Sequence, residues 1–386
     1  MRTAARIENL PPYLFAEIDR KIQEARNRGA DIISFGVGDP DLPTPPHVVD
    51  ALAKAARDSA THRYPSYTGM PELRSVIAEW YDSRFSAELD PETDVQPLVG
   101  SKEGIFHLPV AFVDPGDIAL VPDPGYPVYE TGTILAGGEA TRMQLTAAGG
   151  FRPDLDAIPD EVAERARVLW LNYPSNPTAA CVDLDFFQAA VDYCRAHDLL
   201  LAHDAAYSEI TFDGYVAPSV LQTEGAMECA VEFHSLSKTF NMTGWRIGWV
   251  AGAPVAVEAI KRLKTNVDSG IFEAVQRAGI AALTGPRDHL AETIERYRYR
   301  RDLLCDALKS IGLLVDPPKG SIYLWVPVPD GYTAESFTTT LLDAAEIAVA
   351  PGTGYGPAGE GFVRFSLTVP DDLIEEGVER LRRVVS

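Results

Sequence analysis

The sequence predicts an α/β protein in which a large, mainly parallel sheet lies between helices and a smaller α+β unit follows. Short, continuous apolar runs rich in β-branched residues alternate with amphipathic stretches, which is typical of parallel strands covered by helices on both faces. A long helical pattern from Pro286 to Ile311 separates these runs from later strand-like segments. Together these features favour two domains joined by a helix.

The individual elements follow from the same patterns. A first helix is predicted from about Leu14 to Arg28. Strands of the large sheet are predicted at 117–122, 167–174, 199–207, 230–237 and 246–252. In the stretch from Pro286 to Ile311, apolar residues recur at helical spacing and Gly312 fits a C-terminal cap. The segments "SIYLWVPV", "AEIAVAP" and "GFVRFSLT" are the predicted strands of the smaller unit.

These elements divide the chain into three parts. Residues 1–45 form an N-terminal arm and part of the small domain, 46–285 form the large domain, and 286–386 form the small C-terminal domain. The chain has 386 residues, of which 46% are apolar, and this is enough for a large core and more than one domain.

Charge restricts the kind of partner. The 56 acidic residues outnumber the 34 basic ones, and the formal net charge is −22. A charge of this sign argues against nucleic acid or an anionic membrane surface as the partner. We expect a soluble protein that acts on small molecules.

No targeting or membrane-spanning segment is predicted. No window approaches the roughly 18 apolar residues of a spanning helix, and the first residues lack the apolar core of a signal peptide. We therefore expect a cytoplasmic protein. Cys181, Cys194, Cys229 and Cys305 lie far apart in apolar or helical contexts, so we expect buried thiols, no disulfide framework and no metal site.

The stretch "HSLSKTFNMTGWRIGW" (234–249) surrounds Lys238 with hydroxyl, amide and aromatic side chains. A lysine whose pKa is lowered becomes a nucleophile and forms Schiff bases with carbonyl compounds, including pyridoxal phosphate. A phosphate requires hydroxyls, backbone N–H groups and a guanidinium, which Ser235, Ser237 and Arg246 are placed to supply. This spacing predicts that Lys238 holds pyridoxal phosphate.

Asp204 and Tyr207 are candidates for contacts with the cofactor ring. The pyridine nitrogen requires an acid that keeps it protonated, so that the ring accepts electrons from the substrate's Cα. Asp204 lies in the predicted strand at 199–207, and the phenol of Tyr207 follows nearby. Asp204 alone could be an ordinary helix cap or a hydrogen-bonded core group. The combination of Asp204 and Tyr207 with Lys238 predicts a catalytic site.

The motif "SLSKTFNMTGWRIG" resembles the lysine signature of the fold type I, class I/II aminotransferases, and the resemblance extends over nearly the whole chain. It implies that the large domain binds pyridoxal phosphate. It also implies transfer of an amino group between an amino acid and a 2-oxo acid by a ping-pong mechanism, with Lys238 moving the proton. A homodimer with shared active sites is implied as well.

Further residues gain roles from this resemblance alone. It implies that Ser101 and Lys102 in "GSKEG" lie at the phosphate turn and that Tyr126 in "DPGYPVY" stacks on the ring. Asn176 in "NYPSNPTAA" would bond the ring hydroxyl and touch the substrate carboxylate. Tyr64 in "RYPSYTG" would reach the phosphate in the neighbouring subunit.

Substrate contacts are implied in the same way. Arg364 in "GFVRFSLT" matches the clamp for the α-carboxylate, which the backbone of Gly38 would also approach. Phrases such as "HDAAYSEITFDGY" and "TNVDSGIFEAVQ" most resemble the LL-diaminopimelate aminotransferases of lysine biosynthesis, which use tetrahydrodipicolinate and glutamate. In that family, the matches to Tyr13, Lys102 and Asn266 contact the substrate or close its pocket.

Two local features depart from simple patterns. Ala179 stands where most of the family has glycine after N-P-T, and it would strain a backbone that requires positive φ, so we expect a local shift. "GVGDPD" (36–41) begins like a dinucleotide-binding motif, but Asp41 replaces the third glycine. We therefore reject nicotinamide binding there.

Other activities stay open at this point. Related alanine, aspartate and other biosynthetic aminotransferases share the same phrases. A pyridoxal-phosphate C–S lyase would begin with the same chemistry and differ in the bond that breaks. A noncatalytic sensor in a transcription regulator is disfavoured, because Lys238 is intact and the chain leaves no room for a helix-turn-helix domain before its arm.

Overall fold

The computed structural model describes residues 1–8, 10–11 and 14–385. Its α-helices are α1 (Ala5–Glu8), α2 (Leu14–Asn27), α3 (Pro46–Ala56), α4 (Pro71–Phe85), α5 (Ser101–Phe112), α6 (Val128–Ala136), α7 (Asp160–Ala163), α8 (Leu184–Ala196), α9 (Ala226–Cys229), α10 (Leu236–Thr239), α11 (Pro254–Val267), α12 (Glu273–Thr284), α13 (Asp288–Ser310), α14 (Ala334–Ala345) and α15 (Asp371–Val385). Its strands are β1 (Ile33–Ser34), β2 (Val95–Leu98), β3 (Ile118–Asp123), β4 (Glu139–Gln144), β5 (Ala166–Asn172), β6 (Leu200–Asp204), β7 (Ala230–Ser235), β8 (Gly248–Gly252), β9 (Tyr323–Pro327), β10 (Ile347–Ala348), β11 (Ala350–Pro351) and β12 (Phe362–Ser366).

The large sheet has seven strands in the order β2-β8-β7-β6-β5-β3-β4. Its strands run parallel except for β8, which lies antiparallel between β2 and β7. Every residue of β6, β7 and β8 is buried, as expected for strands that helices cover on both faces. The predicted α/β architecture with a mainly parallel sheet is confirmed.

The carboxyl ends of β5, β6 and β7 lie side by side. Asn172 is opposite Asp204 across β5 and β6, and Asp204 is opposite Phe233 across β6 and β7. In open α/β sheets, ligands bind in the crevice beyond these ends. The sheet therefore brings the residues that end and follow these strands to one place.

The smaller sheet is antiparallel and has the order β11-β12-β9. Leu304 of α13 and Leu381 of α15 share a buried apolar cluster with Phe365 of β12. The long helix predicted from the sequence is α13, and Gly312 follows it with φ of +87°, in keeping with a C-terminal cap. α13 and α15 thus pack against this sheet.

The N-terminal segment packs against the same unit. β1 pairs in parallel with β10. Ile18 and Ile22 of α2 are buried in a cluster with Trp325 and Tyr355. These contacts support the grouping of residues 1–45 with the small domain, and we retain domain boundaries near 45 and 285 as a proposal.

The four cysteines are free thiols, with Cys194 and Cys305 buried and Cys181 and Cys229 half-buried. Burial raises the pKa of Cys181 and Cys305 to about 12 and that of Cys229 to about 11. Within the described ranges, no group of three or more His, Cys, Asp or Glu side chains could hold a metal ion. No helix in this part of the chain is long and apolar enough to cross a membrane.

Candidate active site

One cavity of about 360 Å³ gathers most of the side chains predicted to form the site. The predicted residues that line it are Gly38, Ser101, Lys102, Tyr126, Asn176, Asp204, Tyr207, Ser235, Ser237, Lys238 and Arg246. A cavity of this size accommodates a small ligand. Residues far apart in the chain therefore converge where the parallel strands end.

Lys238 lies in α10, the short helix that follows β7. Its Nζ donates a hydrogen bond of 2.6 Å to the carbonyl oxygen of Gly38. Burial lowers the pKa of Lys238, although Tyr323 and Asp39 act in the opposite direction. A lowered pKa increases the neutral, nucleophilic fraction of the amine.

Asp204 is the buried last residue of β6. The Tyr129 hydroxyl donates a 2.9 Å hydrogen bond to its Oδ2, and the Asn172 amide donates a 2.7 Å bond to its backbone carbonyl. Burial raises the pKa of Asp204, and the hydrogen bond from Tyr129 opposes this effect. Its Oδ1 is buried and has no hydrogen-bond partner within the described residues. A ligand with a proton donor could satisfy this oxygen.

Tyr323 was not predicted from the sequence but lines the same cavity. Its hydroxyl lies 3.1 Å from that of Tyr207, and its ring centre lies 3.9 Å from the guanidinium carbon of Arg364. Burial raises the pKa of Tyr323, but the positive charges of Arg364 and Lys238 outweigh burial and lower it. A Cβ on Gly38 would collide with the Tyr323 hydroxyl, so only glycine lets the backbone pass this closely.

Arg364 is fully buried on β12. Its Nη1 donates a 2.7 Å hydrogen bond to Oδ1 of Asn176, and its Nη2 donates a 2.7 Å bond to the carbonyl of Gly36. The backbone N–H of Asn176 donates to Oδ1 of Asn172 at 2.7 Å. These bonds fix the guanidinium next to Asn176, which lines the cavity. A planar guanidinium in this setting is suited to a carboxylate.

Hydrogen-bond donors for an anion gather where α5 begins. Ser101 is the first residue of α5, and Gly100 precedes it with φ of +77°. A Cβ on Gly100 would collide with the guanidinium of Arg246. Ser235 caps α10 by accepting a 3.1 Å hydrogen bond from the Ser237 N–H. A helix N-terminus beside hydroxyls and a guanidinium forms an anion site, and we call these five residues the anion cradle.

Two further predicted residues, Tyr64 and Asn266, are placed away from this cavity. Tyr64 is 86% exposed and lines a separate surface pocket. Asn266 is exposed, and its amide donates a 2.8 Å hydrogen bond to the carbonyl of Arg262. Tyr13 lies outside the described residues. Tyr64 and Asn266 therefore do not line the Lys238 cavity of their own chain.

Ala179 adopts φ of +57°. Its N–H donates to the carbonyl of Ser175 at 3.1 Å, and the Ser175 N–H donates to the carbonyl of Ala180 at 3.0 Å. The chain thus accepts here a left-handed conformation that glycine adopts at lower cost. The neighbouring main-chain hydrogen bonds hold the turn that carries Asn176.

Tyr129, Asn172 and Tyr323 are site residues that sequence reasoning missed. Asn172 could have been found, because it is a polar residue at the end of the apolar run "RVLWLNYP", the same position that singled out Asp204. Tyr129 ends the phrase "DPGYPVY", in which the family resemblance implies a role for Tyr126 only. Tyr323 offered no local sign, because "SIYLW" is an ordinary strand pattern.

The arrangement is that of a fold type I aminotransferase, and solved structures of aminotransferases superimpose closely on it. Apo-BacF from Bacillus subtilis gives a TM-score of 0.96 at 35% identity, covering 100% of this chain and 99% of that one. Aspartate aminotransferase from Thermus thermophilus with maleate gives 0.92 at 30% identity, covering 100% of both. A family model described as aminotransferase class I and II matches residues 30–381, and the chain belongs to that family.

Curated relatives match along the full chain. The LL-diaminopimelate aminotransferase of Moorella thermoacetica is 54% identical over 385 residues, which are 100% of this chain and 99% of the relative. That of Desulforudis audaxviator is 55% identical over 379 residues, covering 98% and 97%. The chain is a transaminase, as predicted, and the C–S lyase alternative is not favoured. The family and fold depend on pyridoxal phosphate.

Proposed function

We propose that the chain binds pyridoxal phosphate through Lys238 and moves an amino group between LL-diaminopimelate and 2-oxoglutarate. One observation carries the proposal: Lys238, Asp204 and the cradle residues Ser101, Ser235, Ser237 and Arg246 line a single cavity. They match the aldehyde, ring nitrogen and phosphate of this cofactor. The substrate follows from the relatives that exceed 50% identity along the chain.

The residues present fit this cofactor. Oδ1 of Asp204 lacks the partner that a protonated ring nitrogen would supply. The absence of a side chain at Gly100 keeps open the space beside the Arg246 guanidinium, where a phosphate would meet the N-terminus of α5. When bound, the cofactor withdraws electrons from the substrate's Cα.

Lys238 is the proton carrier of the proposed reaction. Because burial lowers its pKa, its Nζ accepts a proton from the substrate's Cα more readily near neutral pH. The 2.6 Å bond to the Gly38 carbonyl holds the amine at the cavity wall. A charged Asp204 holds the proton on the ring nitrogen, because an opposite charge at short distance favours the protonated base.

Substrate recognition would divide between two basic residues, Arg364 and Lys102. Arg364, fixed by its bonds to Asn176 and Gly36, would hold the α-carboxylate that every amino acid carries. This contact cannot discriminate between substrates. Lys102 lines the cavity, and its ammonium would bind the distal carboxylate of a long diacid.

We also propose a homodimer with shared sites. Tyr64 is 86% exposed, and Asn266 is exposed as well. Both lie outside the Lys238 cavity of their own chain, as required of residues that serve a neighbouring subunit. In an isolated subunit the Tyr64 ring leaves apolar surface in water, and a contact between two subunits would cover it.

Half-reactions of the cofactor-loaded protein test the substrate. Single amino acids are added, and the visible absorbance of the cofactor is followed. We expect conversion with LL-diaminopimelate and with glutamate, and rates lower by about 10-fold or more with alanine and aspartate. Faster conversion with alanine or aspartate would move the chain to another branch of the family. Release of ammonia without an amino acceptor would indicate a lyase.

A further inference from the structure

A fully buried carboxylate, Glu232, binds two histidines on the face of the large sheet away from the cofactor cavity. Nδ1 of His203 lies 2.9 Å from its Oε2, and Nε2 of His234 lies 2.6 Å from its Oε1. All three side chains are at most 5% exposed. Further donors to the same carboxylate are the hydroxyls of Tyr81 and Ser219 and the N–H of Val220.

These donors keep Glu232 charged. Burial raises the pKa of Glu232, but the two histidines and their hydrogen bonds outweigh burial and lower it far below its usual range. A buried carboxylate needs several hydrogen-bond donors to offset the loss of its hydration. The cluster is therefore a rigid connection between β6, which carries His203, and β7, which carries Glu232 and His234.

Both histidines stand directly before a residue of the proposed cofactor site. His203 precedes Asp204, and His234 precedes Ser235, and each of these pairs ends its strand. Successive side chains of a strand point to opposite faces. The cluster thus contacts β6 and β7 on the opposite face of the sheet, at the strand ends where Asp204 and Ser235 line the cavity.

The imidazole nitrogens that do not bind Glu232 also contact residues that are adjacent in sequence to the site. Nε2 of His203 lies 3.0 Å from the carbonyl oxygen and 3.4 Å from the nitrogen of Tyr173, the residue after Asn172. Nδ1 of the other imidazole lies 3.5 Å from the hydroxyl of Ser208, the residue after Tyr207. In both cases, the residue that the imidazole contacts is the one that directly follows a site residue in the sequence.

We propose that His203, Glu232 and His234 form a positioning cluster, which sets the distance between Asp204 and Ser235 and so fixes the cofactor ring relative to its phosphate. The proposal rests on the proposed function, because it assumes that pyridoxal phosphate occupies the cavity. None of the three side chains lines that cavity, so they act through the strand ends.

The test compares two changes at the same carboxylate. Glu232→Gln keeps the shape and removes the charge that holds both imidazoles. Tyr81→Phe removes the 3.1 Å bond that α4 supplies to Glu232, but Tyr81 is next to no site residue. The dissociation constant of pyridoxal phosphate, the visible circular dichroism of the bound cofactor and the Tm are measured for each variant.

We expect Glu232→Gln to weaken cofactor binding by about 10-fold, as for residues that orient the ligands of a metal site, and to change the visible circular dichroism. Tyr81→Phe should lower the Tm and leave both cofactor readouts at wild-type values. If Glu232→Gln does not fold, His234→Gln is measured against the same control, and the same loss is expected.

Wild-type affinity and dichroism in a folded Glu232→Gln or His234→Gln protein would overturn the positioning role. Equal losses in Tyr81→Phe would overturn it too, because they would trace to stability alone. Failure of the wild-type protein to bind pyridoxal phosphate would instead overturn the proposed function.

Discussion

The hydroxyl of Tyr129 donates a 2.9 Å hydrogen bond to Oδ2 of Asp204, and Oδ1 of the same carboxylate has no partner within the described residues. One oxygen is thus held by the protein and the other is left for a ligand. A buried carboxylate oxygen without a partner is costly, so the site is complete only with a proton donor in the cavity.

Asp204→Asn should retain pyridoxal phosphate but lose transamination by about 10²-fold or more, because a neutral amide cannot hold the proton on the ring nitrogen. Half-reaction rates and cofactor content measure the two effects separately. Tyr129→Phe is the matched control, because it leaves the carboxylate charge in place and should cost less activity. Wild-type rates in Asp204→Asn would assign Asp204 a structural role.

Gly100→Ala should weaken cofactor binding by about 10-fold or more, because the added Cβ collides with the Arg246 guanidinium. The guanidinium would have to move, and its charge-assisted hydrogen bond to the phosphate would be lost. Gly116→Ala is the control. Gly116 also has positive φ, at +100°, but a Cβ there meets no atom within 4 Å.

Both alanine substitutions should lower the free energy of unfolding, by about 1–2 kcal/mol for the left-handed backbone. Titration with pyridoxal phosphate and thermal melts distinguish the two effects. Equal cofactor affinity in the two variants would remove Gly100 from the phosphate site.

Arg364→Ala should weaken all amino-acid substrates, because the α-carboxylate is common to them. Lys102→Ala should weaken LL-diaminopimelate by about 1–3 kcal/mol more than alanine, the range for a lost hydrogen bond to a charged group. The ratio of kcat/KM for the two substrates is the measurement, and alanine serves as the internal control. An unchanged ratio in Lys102→Ala would show that Lys102 plays no part in specificity.

Mixed dimers of Tyr64→Phe and Lys238→Ala subunits should recover transaminase activity. If Tyr64 serves the neighbouring subunit, each mixed dimer has one site with both defects and one with neither. Activity is assayed after the heterodimer is purified by two different tags. The cofactor affinity of the site that keeps Lys238 then shows which subunit supplies Tyr64. A value like that of the Tyr64→Phe homodimer would place Tyr64 in its own subunit's site.

Much of the fold was predictable because buried parallel strands leave a simple pattern. β5, β6 and β7 are apolar almost throughout, and the end of β6 singled out Asp204, which lines the same cavity as Lys238. β4 was missed because "EATRMQ" is a mostly polar edge strand, and β2 because Pro97 interrupts it. Proline is tolerated at a sheet edge, which is where β2 lies.

The parts of the site that were missed depend on contacts between distant segments. Tyr323 meets Tyr207 and Arg364 only after β9 and β12 pair. The connection of His203 to Glu232 requires β6 and β7 in register. Such contacts leave no local trace in the sequence, whereas a lysine among serines does.

Borohydride reduction of the cofactor-loaded protein tests the central claim most directly. The reduced protein is digested, and the peptide that retains the cofactor is sequenced by mass spectrometry. We predict a single label on Lys238, the amine that lies 2.6 Å from the Gly38 carbonyl at the cavity wall. A label on any other lysine would contradict the account.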